Sequence, residues 1–213
     1  MKTVLCYGDS NTYGFNPANG LRYSRHVRWP GRLSLLLGDD YHVIEEGCNG
    51  RTLKSKYPLA AWKNGLDYLR PCLNSHKPVD IVIMMLGSND LKEMFHLTAQ
   101  DIASHAGELV DIIKEFTLEK QGFVPEIILV SPPEIGENIA HSPFKIEFTQ
   151  EAYAQSKLFP KYYREIADEK GCVFFDAAKY AVPSDHDSLH LTAQSHENLA
   201  WGLYECIMRI ENA

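Results

Sequence analysis

The strongest constraint on how this chain can fold is the alternation of short apolar runs, each closed by a turn former, with longer amphipathic stretches. That alternation is the pattern of a parallel sheet covered by helices on both faces. The strand candidates are Thr3 to Tyr7, His42 to Glu45, Asp80 to Leu86, Glu126 to Val130 and Cys172 to Phe175. The stretches Trp29 to Leu37, Trp62 to Leu73, Thr98 to Lys120, Gln150 to Lys170 and Thr192 to Ile210 read as helices. The longest is opened by Thr98 with Asp101 as a capping pair and carries Ile102, Leu109, Ile112, Ile113 and Phe116. The last places Leu199, Leu203 and Ile207 on one stripe. The order is β-α five times over, an α/β chain.

A chain of 213 residues fits one large domain better than two small ones, so a single domain is expected over residues 1–213. No repeat, low-complexity tract or linker interrupts it. The longest irregular stretch runs from Ser131 to about Phe148 and contains Pro132, Pro133, Gly136 and Pro143. A loop of that length is often functional, and this one leaves the carboxyl end of a strand, where open α/β sheets bind their ligands.

The formal charge of −7 argues against nucleic acid as a partner, because phosphate binding rests on clustered Lys and Arg. The apolar run after Met1 and Lys2 is too short for a signal segment and meets Gly8-Asp9 at once. No run approaches the roughly 18 apolar residues of a membrane span. A cytoplasmic protein with no membrane association is expected. Cys6, Cys48, Cys72, Cys172 and Cys206 lack the paired spacing of a zinc site or a disulfide framework, so reduced thiols are expected, with Cys6, Cys172 and Cys206 as small core residues.

Gly8-Asp9-Ser10-Asn11 follows the first strand, Gly47-Cys48-Asn49-Gly50 the second and Gly87-Ser88-Asn89-Asp90 the third. A segment ending Asp187-Ser188-Leu189-His190 follows the fifth. One sheet edge therefore gathers a serine, a histidine, a carboxylate, a carboxamide and glycine-rich backbone, the parts needed for acyl transfer. A serine hydroxyl is a weak nucleophile unless a base lies within hydrogen-bond reach and a third group orients that base. His190 and Asp187 can supply both. The N–H groups of Ser10 and Gly50 and the Asn89 side-chain amide are the candidate oxyanion donors. Taken singly, each has a structural alternative: Ser10 as a helix cap, Asn89 as a turn cap, Asp187 and His190 as surface residues. Their joint occurrence, in order and each at a strand end, favours the catalytic reading.

These blocks resemble the SGNH (GDSL-type) hydrolase superfamily. Gly8-Asp9-Ser10 looks like its first block, Gly50 its second, Gly87-Ser88-Asn89-Asp90 its third and Asp187-Ser188-Leu189-His190 its fifth. Val27-Arg28-Trp29-Pro30-Gly31, Val43 to Gly47, Arg51-Thr52, Met85-Leu86-Gly87 and Val130-Ser131-Pro132-Pro133 resemble the bacterial arylesterase and acyltransferase branch. The resemblance implies a three-layer α/β/α flavodoxin-like fold with a five-stranded parallel sheet in order 2-1-3-4-5. It also implies hydrolysis of short-chain aryl, alkyl or sugar esters, with acyl transfer to alcohol or peroxide as the alternative and no cofactor. Some members of that branch form compact oligomers, which leaves a homo-oligomer open. Gly50 stands where the acyltransferase pattern can carry alanine. The α/β-hydrolase alternative needs Gly-x-Ser-x-Gly, and Ser10 is followed by Asn11-Thr12. A non-catalytic ligand- or carbohydrate-binding module on the same fold is the rival from another class.

Asp185, His186, Asp187, His190 and His196 crowd one segment, but without a recognised zinc-ligand spacing, and no metal is expected. His186 and His196 read as exposed loop and helix residues. Glu45 and Glu46 are neighbours on a strand and point to opposite faces, so a structural role such as an ion pair with Arg28 or Arg51 fits better than paired acid/base catalysis. The lining of an acyl or alcohol pocket is to be sought among Trp29, Tyr13, Phe15, Met94, Phe95 and Phe144, and of these Tyr13 and Phe15, just past Ser10, and Phe95, just past Asn89, are the favoured candidates.

Overall fold

A computed structural model describes residues 1–212. Five strands, β1 (Lys2–Gly8), β2 (Tyr41–Gly47), β3 (Ile81–Met85), β4 (Glu126–Ser131) and β5 (Val173–Asp176), pair in parallel in the order β2-β1-β3-β4-β5. The helices are α1 (Ser10–Tyr13), α2 (Trp29–Leu37), α3 (Gly65–His76), α4 (Ala99–Gln121), α5 (Gln150–Ser156), α6 (Phe159–Lys170) and α7 (Ala193–Glu211). Together they give a three-layer α/β/α architecture with the expected strand order.

Alternation along the strands divides the core. Leu5, Tyr7, Val82, Met84, Ile127 and Leu129 pack with α3, α4 and α6, whereas Val4, Cys6, Ile81, Ile83, Met85, Ile128 and Val130 pack with α2 and α7. Strands covered on both faces have no polar side, which is why they read as continuous apolar runs. The order 2-1-3-4-5 reverses direction at β1, and the crevice between β1 and β3 is where such sheets bind ligands.

Helix α4 is opened by the expected capping box, in which Thr98 and Asp101 exchange side-chain and backbone bonds. Two helix readings are corrected. The stretch from Gln150 to Lys170 is two helices, because Pro160 has no N–H to continue the ladder and sits in the first turn of α6. Trp62 lies in a 3-10 turn, Ala61–Lys63, and α3 starts later, where the Asn64 side chain accepts from Asp67 N at 2.9 Å. Among the described residues no helix is long and apolar enough to cross a membrane.

Candidate active site

Asp9 caps α1, its carboxylate accepting from Asn11 N at 2.9 Å, and this turn lifts Ser10 to the sheet's carboxyl edge. Ser10 Oγ lies 2.9 Å from His190 Nε2, and His190 Nδ1 lies 2.7 Å from Asp187 Oδ2. The other Asp187 oxygen accepts from the Leu189 and His190 N–H groups at 3.0 and 2.9 Å, so the carboxylate organises the turn that carries the histidine. Burial pushes the Asp187 carboxyl up, but the hydrogen bond and charge of His190 and the two backbone N–H groups outweigh it, and its pKa is lowered. All three side chains are buried. In the turn, Ser188 adopts a left-handed conformation at φ 59°, a strained geometry for serine that the neighbouring bonds maintain.

The expected oxyanion donors also converge. Ser10, Gly50 and Asn89 line one cleft with His190, and among the described residues the Ser10 and Gly50 N–H groups have no acceptor. Gly50 has φ 76°, the left-handed region, and a Cβ there would meet Lys63 Nζ at 3.0 Å. Asn89 does not cap its turn. Its amide reaches Arg51 O at 3.2 Å and Asp9 Oδ2 at 3.4 Å.

Two residues that sequence reasoning left without a catalytic part hold this arrangement together. The Asn11 carboxamide donates to Leu189 O at 3.3 Å and accepts from Leu191 N at 3.1 Å, bracketing His190. Arg51 is buried, donates to Gly8 O at 3.0 Å and to Glu46 O, and stacks on the Tyr7 ring at 4.4 Å. It joins the ends of β1 and β2 while its own carbonyl receives the Asn89 amide. The expected ion pair of Glu45 forms with Arg28, whose guanidinium donates to both carboxylate oxygens.

The cleft has a volume of about 220 Å³. Of the three predicted pocket residues, Phe15 lines it, 4.2 Å from the His190 ring. Tyr13 does not; its ring lies beneath the Arg22 guanidinium. Phe95 also lies outside the lining and packs against Tyr57 at 5.3 Å. Both misses have one cause: the residues after Ser10 and Asn89 enter tight helical turns, so adjacency in sequence does not aim a side chain at the nucleophile. Phe144, named from the sequence among the possible lining residues, does line it, and the same long loop after β4 adds Glu147 and Phe148, with Lys63, Lys92 and Leu189 also in the wall. A larger groove of about 600 Å³, between Leu91 to Thr98 and the start of α5, holds none of the catalytic candidates.

His196 is a further correction. It is fully buried, its Nδ1 accepts from Trp29 N at 3.3 Å at the start of α2, and burial, with the charges of His190 and Arg28, lowers its pKa to about 3. It shares the inward stripe of α7 with Leu199 and Leu203, a periodicity that could have placed it. His186 is exposed, as expected.

A serine, a histidine and an aspartate joined by hydrogen bonds of 2.9 and 2.7 Å at the mouth of an α/β/α sheet are the arrangement of the serine hydrolases. The chain matches the GDSL-like lipase/acylhydrolase family over residues 6–197 and belongs to it. It resembles a carbohydrate acetylesterase from Sinorhizobium meliloti with a TM-score of 0.92 and 34% identity, covering 99% of this chain and 100% of that one. The aryl esterase of M. smegmatis is equally similar, with a TM-score of 0.92 and 33% identity over 98% and 99% of the two chains. An acetylxylan esterase from Xylanibacter ruminicola is 35% identical over 94 residues, which are 42% of this chain and 17% of that protein's length.

Proposed function

We propose that this protein is a serine esterase that cleaves short-chain acyl esters through an acyl-enzyme on Ser10, without a cofactor. The observation that carries the reading is the continuous chain from Ser10 Oγ through His190 to Asp187, with separations of 2.9 and 2.7 Å. Ser10 attacks the ester carbonyl and His190 takes its proton through Nε2. Asp187 holds the opposite ring nitrogen and stabilises the imidazolium. The oxyanion meets the N–H groups of Ser10 and Gly50 and the Asn89 amide. His190 returns the proton to the leaving alcohol, then activates the water that releases the acid.

The small cleft and its aromatic walls favour an acyl group of a few carbons, and the open side with Lys63, Lys92 and Glu147 suits a polar alcohol such as a sugar. Acetylated carbohydrates are therefore the favoured substrates, with aryl acetates as convenient probes. A second reading, transfer of the acyl group to an alcohol, is supported by the apolar surface of Phe15, Phe144 and Leu189 around Ser10, which favours an organic acceptor over water.

The test is turnover of p-nitrophenyl esters of increasing chain length, with labelling of Ser10 by a fluorophosphonate. Acetate should be preferred to octanoate, and Ser10→Ala should reduce kcat by more than about 10³-fold while the fold persists. Absence of both labelling and turnover would leave a non-catalytic binding module. Added benzyl alcohol that yields no new ester during normal hydrolysis would remove the transfer reading.

A further inference from the structure

Away from the cleft, three side chains with nitrogen, sulfur and oxygen donors converge between the edge strand and the helix that covers it. Glu45 turns to the α2 side and bonds Arg28, so Glu46, next on β2, faces α3. On α3, Cys72 and His76 are four residues apart and project side by side from one face. His76 Nε2 lies 2.7 Å from Glu46 Oε1, and the carboxylate oxygen, Cys72 Sγ and a His76 ring nitrogen all fall within 4.8 Å of one another.

We propose that Glu46, Cys72 and His76 form a binding site for one divalent ion of the zinc class. A thiolate, an imidazole and a carboxylate are ligands that zinc uses, whereas magnesium and calcium take oxygen ligands almost exclusively. Zinc bonds of about 2.0–2.3 Å place tetrahedral ligand pairs roughly 3.3–3.6 Å apart. The His76–Glu46 contact must therefore open by less than about 1 Å and the sulfur close by up to about 1.2 Å, changes within reach of side-chain rotation. The ion takes the place of the hydrogen between Nε2 and Oε1: the imidazole binds as the neutral Nδ1–H tautomer, the Nε2 proton passing through solvent, and the Cys72 thiol proton leaves to solvent. Three protein ligands leave a fourth position for water.

Access and charge fit the assignment. The His76 and Glu46 side chains are 27% and 19% exposed, while Cys72 is fully buried and forms the floor. The Glu46 carboxylate and a Cys72 thiolate bring two negative charges to the ion, against the single positive charge of Arg51, whose guanidinium lies 5.1 Å from the centre of the Tyr68 ring. An ion here would tie α3 to the end of β2 and stabilise the strand that leads into the Gly50 loop.

The test uses chelator-stripped protein titrated with Co²⁺, then with Zn²⁺. One equivalent of Co²⁺ should bring up a thiolate-to-cobalt charge-transfer band in the near ultraviolet, zinc should displace it, and zinc should raise the melting temperature. Cys72→Ala should abolish the band. His76→Ala, at a partly exposed position that does not threaten the fold, should weaken cobalt binding at least about tenfold, since loss of even an outer-shell partner costs that much. Cys48→Ser, at the half-buried thiol of the neighbouring loop, should leave the band unchanged. No band in the wild type, a band that survives Cys72→Ala, or one lost in Cys48→Ser overturns the assignment.

Discussion

Asn89 carries two amide hydrogens, and the structure gives them two acceptors, Arg51 O at 3.2 Å and Asp9 Oδ2 at 3.4 Å. The first lies at the upper end of the ordinary N–H···O range and the second beyond it, so the amide is loosely held. An oxyanion forming beside Ser10 offers a charge-assisted bond about twice as strong as the neutral one to the Arg51 carbonyl, and the Asn89 side chain lines that site. Asn89→Ala should therefore lower kcat by about 10²–10³-fold with little change in KM, because the interaction strengthens as charge develops. A kcat within a few-fold of wild type together with a large drop in melting temperature would leave the oxyanion to the Ser10 and Gly50 backbone alone. Asn89 was legible in the sequence because its block has a recognisable spelling. Asn11 was not: it stands beside Ser10, but the groups that give it a role lie 178 and 180 residues further on, at Leu189 and Leu191, and no local pattern encodes that meeting.

Among the elements, strands and capped helices were readable because their causes are local: apolar runs, the Thr98 and Asp101 box, the stripe of α7. The cleft walls were legible only in part, since they come from the irregular loop after β4, whose path is set by contacts with distant residues. Gly136 in that loop donates to Ser188 O at 2.7 Å, and a Cβ at Gly136 would meet Ser188 Cβ at 2.8 Å. The loop thus presses on the turn that presents Asp187 and His190. Gly136→Ala should displace that turn, lowering kcat severalfold or more and destabilising the protein by about 1–3 kcal/mol through overpacking. For a chain of this size that is a fall in melting temperature of roughly 2–4 °C per kcal/mol. Unchanged kinetics with a lowered melting temperature would mean that the loop supports the fold without setting the geometry of the His190 turn.

Across the whole molecule, the carboxyl edge of the sheet concentrates groups whose ionisation couples folding to pH. Burial pushes Asp9 up to about 6, against the pull of the Asn11 N–H and the charges of His190 and Arg51. Burial also pushes Asp90 up to about 7, with the Asp9 charge adding and bonds from Leu53 N and the Ser55 hydroxyl opposing. An unfolded aspartate titrates near 3.9, so between about pH 4 and 7 the folded chain holds more protons than the unfolded one, and stability falls as pH rises through that window. His196 acts in the opposite sense. Its folded value of about 3 lies below the unfolded value near 6.5, so the unfolded chain holds the extra proton and stability rises with pH across that range. A single stability profile mixes these slopes, but a difference between variants separates them. Asp90→Asn keeps the side-chain shape and removes one ionisation, and any hydrogen bond it loses costs about the same at every pH. Unfolding free energies from urea titration at pH 5 and pH 8 should therefore differ less favourably for pH 8 in the wild type than in Asp90→Asn. An identical difference in the two proteins would mean that Asp90 is already ionised in the folded state at pH 5, and the proton linkage assigned to it would be wrong.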